Sequence, residues 1–355
     1  MEHRKTAEAI DRNMRSLVRT AVARQYSRDR ELWEPYGEPG YEKSLRDSEY
    51  HFAYLGEALR AGRVELFEDY VSWVRLLFDG LDFPPEVPEK TLRCMKRALE
   101  EVLAKGAGAA LEYIDLGLAH LTRTAPDCVS FISEDSRMGA ISSRYLAELL
   151  KSDSRGAEAV ITEAIEEGVD IREIYLHVLQ PCQWEIGRLW QTGSLSVARE
   201  HYCTAVTQQI ISRLYPKLFS LSPERKGRVC VATAVGDELH ELGIRMVSDF
   251  LEMAGWDTIY LGASTPAESV VQTCIDHGAD LLGLSTTLSI HLGELRNLID
   301  RVQEAEECRS TRIIVGGYPF NLVDDLWRSV GADGYAKDAA EAVSLAEELT
   351  ASGPA

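Results

Sequence analysis

Up to residue 220, apolar residues recur at three- and four-residue steps, which predicts helices; beyond it, short apolar runs alternate with helical segments. The stretch SEYHFAYLGEALRAGRVELFEDYVSWVRLLFDG (48–80) reads as helical and broken at Gly62. The segment before it, PYGEPGYEKSLRD (35–47), reads as a loop that separates it from a first helix. Prolines in FPPEVPEK (83–90) stop one helix and can start another. Further helices are expected over 88–105 and 107–124, and RTAPDCVSFISEDS (123–136) is the preferred domain boundary. A second helical group follows at 138–151, 156–167, 170–191 and 195–219, enough for a four-helix bundle. SLSPERKG (220–227) suits a linker.

The runs after it are RVCVATA (228–234), DTIYLG (257–262), DLLGLS (280–285), TRIIVGG (311–317) and DGYAK (333–337). Helical segments separate them, and Gly or Asp stands at most joints. This pattern predicts a Rossmann-like or flavodoxin-like parallel sheet wound with crossover helices, which binds ligands beyond the C-terminal ends of its strands. The expected chain is multi-domain: an all-α domain over 1–130, a helical bundle over 131–222 and an α/β domain over 223–355.

Composition narrows the function classes. Net charge is −19, with 19 Lys+Arg against 23 Asp+Glu in residues 1–130 and 19 against 34 in residues 131–355. Such a chain is repelled by phosphate backbones, and no basic stripe offsets this, so direct nucleic-acid binding is not expected. Seven cysteines form no CxxC pair, and their odd number argues against a secreted disulfide framework. No run approaches the roughly 18 apolar residues of a membrane span, and MEHRKTAEAIDRN does not read as a signal peptide. A cytoplasmic location is expected.

Candidate chemistry begins directly after the first strand, where Glu238-Leu239-His240-Glu241-Leu242-Gly243 fits acidic–x–His–x–x–Gly. The loop lies at the ligand edge of the sheet. Its histidine can offer an imidazole nitrogen to a metal, and the acidic residue two positions earlier can orient the ring and raise its basicity. Gly243 lets a bulky group approach the backbone. Two further elements end strands on the same edge: Ser285-Thr286-Thr287-Leu288, with 41 residues between it and Gly243, and Gly316-Gly317, with 27 residues between it and Leu288. Small hydroxyl residues and a glycine pair leave a slot between strands.

These three elements together resemble the cobalamin-binding domain shared by methionine synthase, the corrinoid carrier proteins and the cobalamin mutases, over about 225–350. The resemblance implies His240 as lower axial cobalt ligand in place of the cofactor's own base, with Glu238 as its hydrogen-bond partner. It implies a nucleotide-tail pocket lined by Ser285, Thr286, Leu288, Gly316 and Gly317. In the bundle, Trp190 is followed after nine residues by Glu200-His201, and with the cobalamin domain beside it this looks like the cap of the CarH-type light receptors. That likeness implies adenosylcobalamin, with Trp190, Glu200 and His201 over its upper face. Gln191 stands where those receptors have a histidine that can bind cobalt after illumination. His201 is the nearest substitute by motif and His177, one helix earlier, a weaker one, read first as packed in the bundle.

The N-terminal segment is rich in rings: His51, Phe52, Tyr54, Phe67, Tyr70, Trp73 and Phe78. His51 and Tyr54 share a helix face, as do Tyr70 and Trp73. Arg60, Arg63 and Arg75 could pair with carboxylates. These rings read either as core or as a pocket for a flat conjugated pigment. A helical, degenerate globin-like domain ahead of a CarH-like unit resembles the photocobilins, which implies a bilin such as biliverdin near His51, Tyr54, Tyr70, Trp73, Arg75 and His120. Cys94 and Cys128 could anchor a pigment, or are buried thiols. Glu185, Glu241 and Glu294 have no partner recognisable in the sequence and are expected to face solvent.

Two functions follow from these readings. One is a non-enzymatic light sensor that signals by conformational or oligomeric change, through a homo-oligomer or a separate effector protein. The alternative is a corrinoid methyl carrier of a methyltransferase system. Trp190 and Glu200-His201 favour the sensor, and cofactor preference discriminates the two.

Overall fold

The computed structural model describes residues 2–123, 129–221 and 224–351, and the chain divides into two compact units at Asp127/Cys128. Parts of the expected boundary (124–128) and linker (222–223) lie outside the described residues. The first unit is helical: α1 (Glu2–Arg28), α2 (Arg30–Trp33), α3 (Gly37–Ala61), α4 (Glu65–Gly80), α5 (Val87–Leu103) and α6 (Gly108–Arg123). Helix α1 packs along α3 and α5, and Ile10, Leu17, Phe52, Leu55, Leu59, Phe67, Met95 and Ile114 form a core closed to solvent. The 35–47 loop is corrected here: α3 already starts at Gly37. Pro39 falls in its first turn, where a proline's missing N–H costs no intrahelical bond.

The second unit opens with the bundle, α7 (Arg137–Leu150), α8 (Ser154–Glu166), α9 (Ile171–Ile174), α10 (Gln180–Gln191) and α11 (Val197–Leu221). Ser136, Asp153 and Asp170 cap α7, α8 and α9 by accepting from the Gly139, Gly156 and Arg172 amides. A single π-helical turn, Tyr175–Leu179, joins α9 to α10. His177, expected inside the bundle, is exposed on this turn.

The α/β part runs β1 (Val229–Ala234), α12 (Leu242–Met253), β2 (Asp257–Gly262), α13 (Ala267–His277), β3 (Leu281–Ser285), α14 (Leu292–Glu304), β4 (Arg312–Gly316), α15 (Tyr318–Leu322), α16 (Leu326–Val330), β5 (Gly334–Tyr335) and α17 (Ala339–Ala351). All strand pairs are parallel, in the order β2-β1-β3-β4-β5. The strand order therefore reverses between β1 and β3, and at such a point the two following loops diverge and leave a crevice. β3 and the inner residues of β1 are buried on both faces, which is why they read as continuous apolar runs rather than alternation. Met246, Phe250 and Met253 of α12 belong to the bundle's core, so this helix joins bundle and sheet. Among the described residues, no helix is long and apolar enough to cross a membrane.

Candidate functional site

The crevice between β1 and β3 holds the motif residues. Glu238, in the loop after β1, is fully buried, and neither of its carboxylate oxygens is idle. Oε1 accepts from the His240 backbone amide at 3.2 Å and from the His240 ring at Nδ1. Oε2 accepts from the backbone amides of Thr287 (2.8 Å) and Leu288 (3.0 Å), in the loop after β3. Burial alone would push this carboxyl up. The bond from His240, its charge and the two amides outweigh burial and hold it at about 2. In return, the Glu238 hydrogen bond raises the basicity of His240 against its own desolvation.

The result is an imidazole fixed by one nitrogen and offered by the other. With Nδ1 committed to Glu238, Nε2 is the atom left for a ligand, and the His240 side chain is 59% exposed. Leu239 beside it is 79% exposed. An accessible imidazole and a bare leucine at the mouth of a crevice suit a large, largely apolar partner carrying a metal. Among the described residues no three His, Cys, Asp or Glu side chains converge on a cation position.

The residues expected to line the slot stand together at the ends of β3 and β4, where Ser285 pairs with Gly316. Ser285 and Thr286 are buried, the Thr286 amide donates to the Gly316 carbonyl at 3.2 Å, and Thr286 Oγ1 donates to the Leu288 carbonyl. Gly317 has φ +104°, and a Cβ there would stand 2.0 Å from the Thr286 carbonyl oxygen, so only glycine fits. A Cβ on Gly316 would meet the Ala336 carbonyl at 3.1 Å. Leu288 and Thr287 are tied to Glu238, so the loop after β3 and the histidine loop share one anchor. Gly243 is exposed in the first turn of α12, with nothing near its would-be Cβ.

In the bundle, Trp190 packs half-buried on the core near the end of α10, and Gln191 is also half-buried. Glu200 Oε2 lies 2.5 Å from His201 Nδ1, and its Oε1 is 3.0 Å from Thr204 Oγ1. Thr204 in turn reaches Gln183 Oε1, Gln183 Nε2 donates to Thr207, and Thr207 meets the Tyr145 hydroxyl at 2.8 Å. This chain of side chains fixes Glu200, whose charge also adds to the raised basicity of His240. Glu200 thus stands on the bundle side of the same site, while His201 remains exposed.

Two carboxylates expected in solvent have other roles. Glu185 is buried, accepting from the Phe131 amide and paired with Arg188. Burial pushes it up, but these partners bring it below the usual range. Glu241 accepts from Gln208 Nε2 on α11 at 3.0 Å. Glu294 is exposed, as expected, with His291 3.4 Å away. Sequence reading also missed Tyr175, whose hydroxyl donates to the buried Asp249 at 2.9 Å. The partners of Glu241 and Tyr175 stand tens of residues away, so no local pattern announces them, whereas Arg188 lies only three residues past Glu185.

The first unit's rings are packed on one another. Tyr54 stacks on Tyr70 with centroids 3.7 Å apart, the Trp73 ring lies near-parallel to Tyr70 at 6.3 Å, and His51 Nδ1 meets the Tyr70 hydroxyl at 2.7 Å. Burial drives the His51 imidazole down to about 4, so it stays neutral near pH 7. His120 Nε2 is bonded to Ser72, and Arg75 donates to the Leu121 carbonyl. The cavity that His51 and Tyr70 line measures about 10 Å³, room for a water rather than a pigment. Cys94 is buried, which pushes its thiol up, and Cys128 lies outside the described residues.

Comparison with known proteins fits this geometry. A family model described as B12 binding domain matches residues 228–344, a second of that description matches 141–215, and one described as Phycobilisome protein matches 2–121. The chain is 27% identical over 212 residues to a corrinoid protein of Desulfitobacterium hafniense (strain Y51), covering 58% of this chain and 96% of that one. It is 27% identical over 207 residues to dimethylamine corrinoid protein 1 of Methanosarcina acetivorans, with the same two coverages. The solved monomethylamine corrinoid protein of Methanosarcina barkeri superposes with a TM-score of 0.53 at 23% identity, over 59% of this chain and 98% of that one, a likeness of fold.

The chain therefore carries B12-binding domains, and these imply a corrinoid cofactor. The light-sensor reading is overturned: these relatives are corrinoid proteins, the class of the alternative, and the CarH-type likeness finds no support among them. Trp190 and Glu200-His201 misled because a Trp and a polar pair at a helix start do not by themselves distinguish one corrinoid cap from another.

Proposed function

We propose that this chain is a corrinoid carrier of a methyltransferase system, shuttling methyl groups between separate enzymes rather than catalysing their transfer itself. The observation that carries the reading is a likeness to corrinoid proteins that spans bundle and sheet together and nearly the whole of each relative. A bound corrin would supply the cobalt that accepts and yields the methyl group. His240 Nε2 would hold that cobalt, with Glu238 setting the ring's orientation and basicity. Ser285, Thr286, Leu288, Gly316 and Gly317 would take the tail, while Trp190, Glu200 and His201 would cover the opposite face. The names of the relatives point to methylamine-derived methyl groups, and a carrier of such groups would have methyltransferases as its partners.

The test offers the full chain methylcobalamin and adenosylcobalamin in parallel, then supplies corrinoid methyltransferases together with a methylamine as methyl donor and a thiol as methyl acceptor. The expected outcome is a bound methyl group that is lost and replaced in cycles. A methyl group retained unchanged, with adenosylcobalamin the preferred ligand, sinks the carrier reading.

A second reading concerns only what the first unit binds. The Phycobilisome protein match over 2–121 supports a linear tetrapyrrole there. The open groove of about 580 Å³ bordered by Tyr26, Arg30, Trp33 and Tyr41 has the size for it, which the rings around Tyr70 lack. Protein produced with biliverdin present would then carry a visible absorption band that is lost with Trp33→Ala.

A further inference from the structure

Helix α11 carries polar residues at four-residue steps, Glu200, Thr204, Gln208 and Ser212, which places them along one face. Helix α12 and its N-cap carry a matching set: Glu241, Arg245 and Asp249. The two sets meet. Gln208 Nε2 donates to Glu241 Oε1 at 3.0 Å, and Arg245 donates to Ser212 Oγ at 2.8 Å. One turn further on, Asp249 accepts from Tyr175. Polar ties thus fasten the bundle to the helix that begins where the histidine loop ends.

Glu241 is the notable member, because it follows His240 directly. Its second oxygen, Oε2, lies over Gly262 at the end of β2, where a Cβ would stand 3.1 Å from it. Gly262 has φ +75°, so this position suits glycine and leaves the carboxylate room. Glu241 is therefore gripped from the bundle side by Gln208 and backed by the end of a strand on the other. The loop 238–241 has two fixed ends: Glu238 anchors it to the loop after β3, and Glu241 anchors it to α11.

We propose that Gln208, acting through Glu241, is a positioning residue for His240, coupling the tilt of the imidazole to the seating of the bundle. The inference rests on the corrinoid-carrier reading for its purpose, since a partner that reaches the upper face must displace the bundle. Lifting α11 removes one end of the loop's anchorage and leaves Glu238 alone, so the imidazole changes pose when the bundle moves. Bundle and lower ligand become two ends of one two-state element.

The experiment compares Gln208→Glu, Glu241→Gln and the double exchange in the full chain. The first places two carboxylates face to face; the double restores an amide opposite a carboxylate with the roles exchanged. Hydrogen exchange of the 238–242 amides is read in cobalamin-free protein, and nitrogen hyperfine splitting of bound cob(II)alamin reads the imidazole. A hydrogen bond to a charged group is worth about a tenfold change in local opening. Gln208→Glu is expected to speed exchange about tenfold and reduce the imidazole-ligated fraction, and the double exchange to bring both back within about twofold of the parent. Unchanged exchange in Gln208→Glu, or a double exchange that restores nothing, overturns the proposal. If Gln208→Glu fails to fold, Gln208→Leu takes its place, with a rise in exchange expected and its absence overturning. A parent that takes up no cobalamin would defeat the carrier reading, while the exchange comparison still decides whether Gln208 holds the loop.

Discussion

At the scale of single residues, the site depends on one buried charge. Glu238 accepts from two backbone amides in one loop and from an amide and an imidazole in its own, and a carboxylate can accept all four at once. Glu238→Gln keeps the shape but loses the charge, and its amide nitrogen must face a donor. Cobalamin affinity is expected to fall about 10- to 100-fold, measured by titrating the absorption change; an unchanged affinity would rule out the orienting role. Glu238, His240 and the glycine pair were legible in the sequence because each sits at a strand end, where the chain's own order fixes position. Gln208 and Glu241 were not, because their pairing needs α11 laid against α12, a fact of packing with no local trace. The N-terminal rings show the opposite failure. Their spacing does give shared faces, but the same spacing serves stacking of Tyr54 on Tyr70 as well as a pocket.

At the scale of elements, α12 has the most demanding position, packed on the sheet and on the bundle together. It carries Asp249, whose carboxyl burial pushes up to about 6 although Tyr175 and Arg245 pull the other way. The folded chain thus holds this proton more tightly than the unfolded one, so between about pH 4 and pH 6 stability falls as pH rises. Above pH 6 the full cost remains, roughly 3 kcal/mol from a shift of this size. Asp249→Asn keeps an acceptor for Tyr175 and removes the charge. We expect it to raise the stability of the second unit at pH 7.5 by about 1–3 kcal/mol and to flatten the acid limb, read as urea midpoints at pH 5 and 7.5; a lower midpoint at pH 7.5 would refute this account. Helix α3 teaches a different lesson about elements. Gly37, Pro39 and Gly40 resemble a loop by composition, yet a proline in a first turn is as much a start as a stop, and Gly40 is where a Cβ would meet Tyr36 at 2.3 Å.

At the scale of the whole molecule, two units with separate cores share one chain. Every residue assigned to the corrinoid site, from Trp190 to Gly317, lies in the second. A chain of residues 129–355 is therefore expected to bind cobalamin within about threefold of the full-length affinity, since no assigned contact is removed; a loss beyond tenfold would mean the first unit contributes directly. The division also explains what could be read from sequence at this scale. The switch from helical periodicity to short runs marks the sheet plainly, whereas the first unit's purpose stays hidden because a helical core looks alike whatever it serves.

Glu238 also couples two outcomes that are usually separable. Because the same carboxylate ties the loop after β1 to the loop after β3 and would aim the histidine at a bound corrin, the nest at Thr287 and Leu288 acts as a common weak link. Variants that disturb this nest would shed cofactor and soften the sheet in a single step. A corrin-free phenotype in this protein would therefore be a poor guide to where a lesion lies, and stability curves would locate it better than spectra.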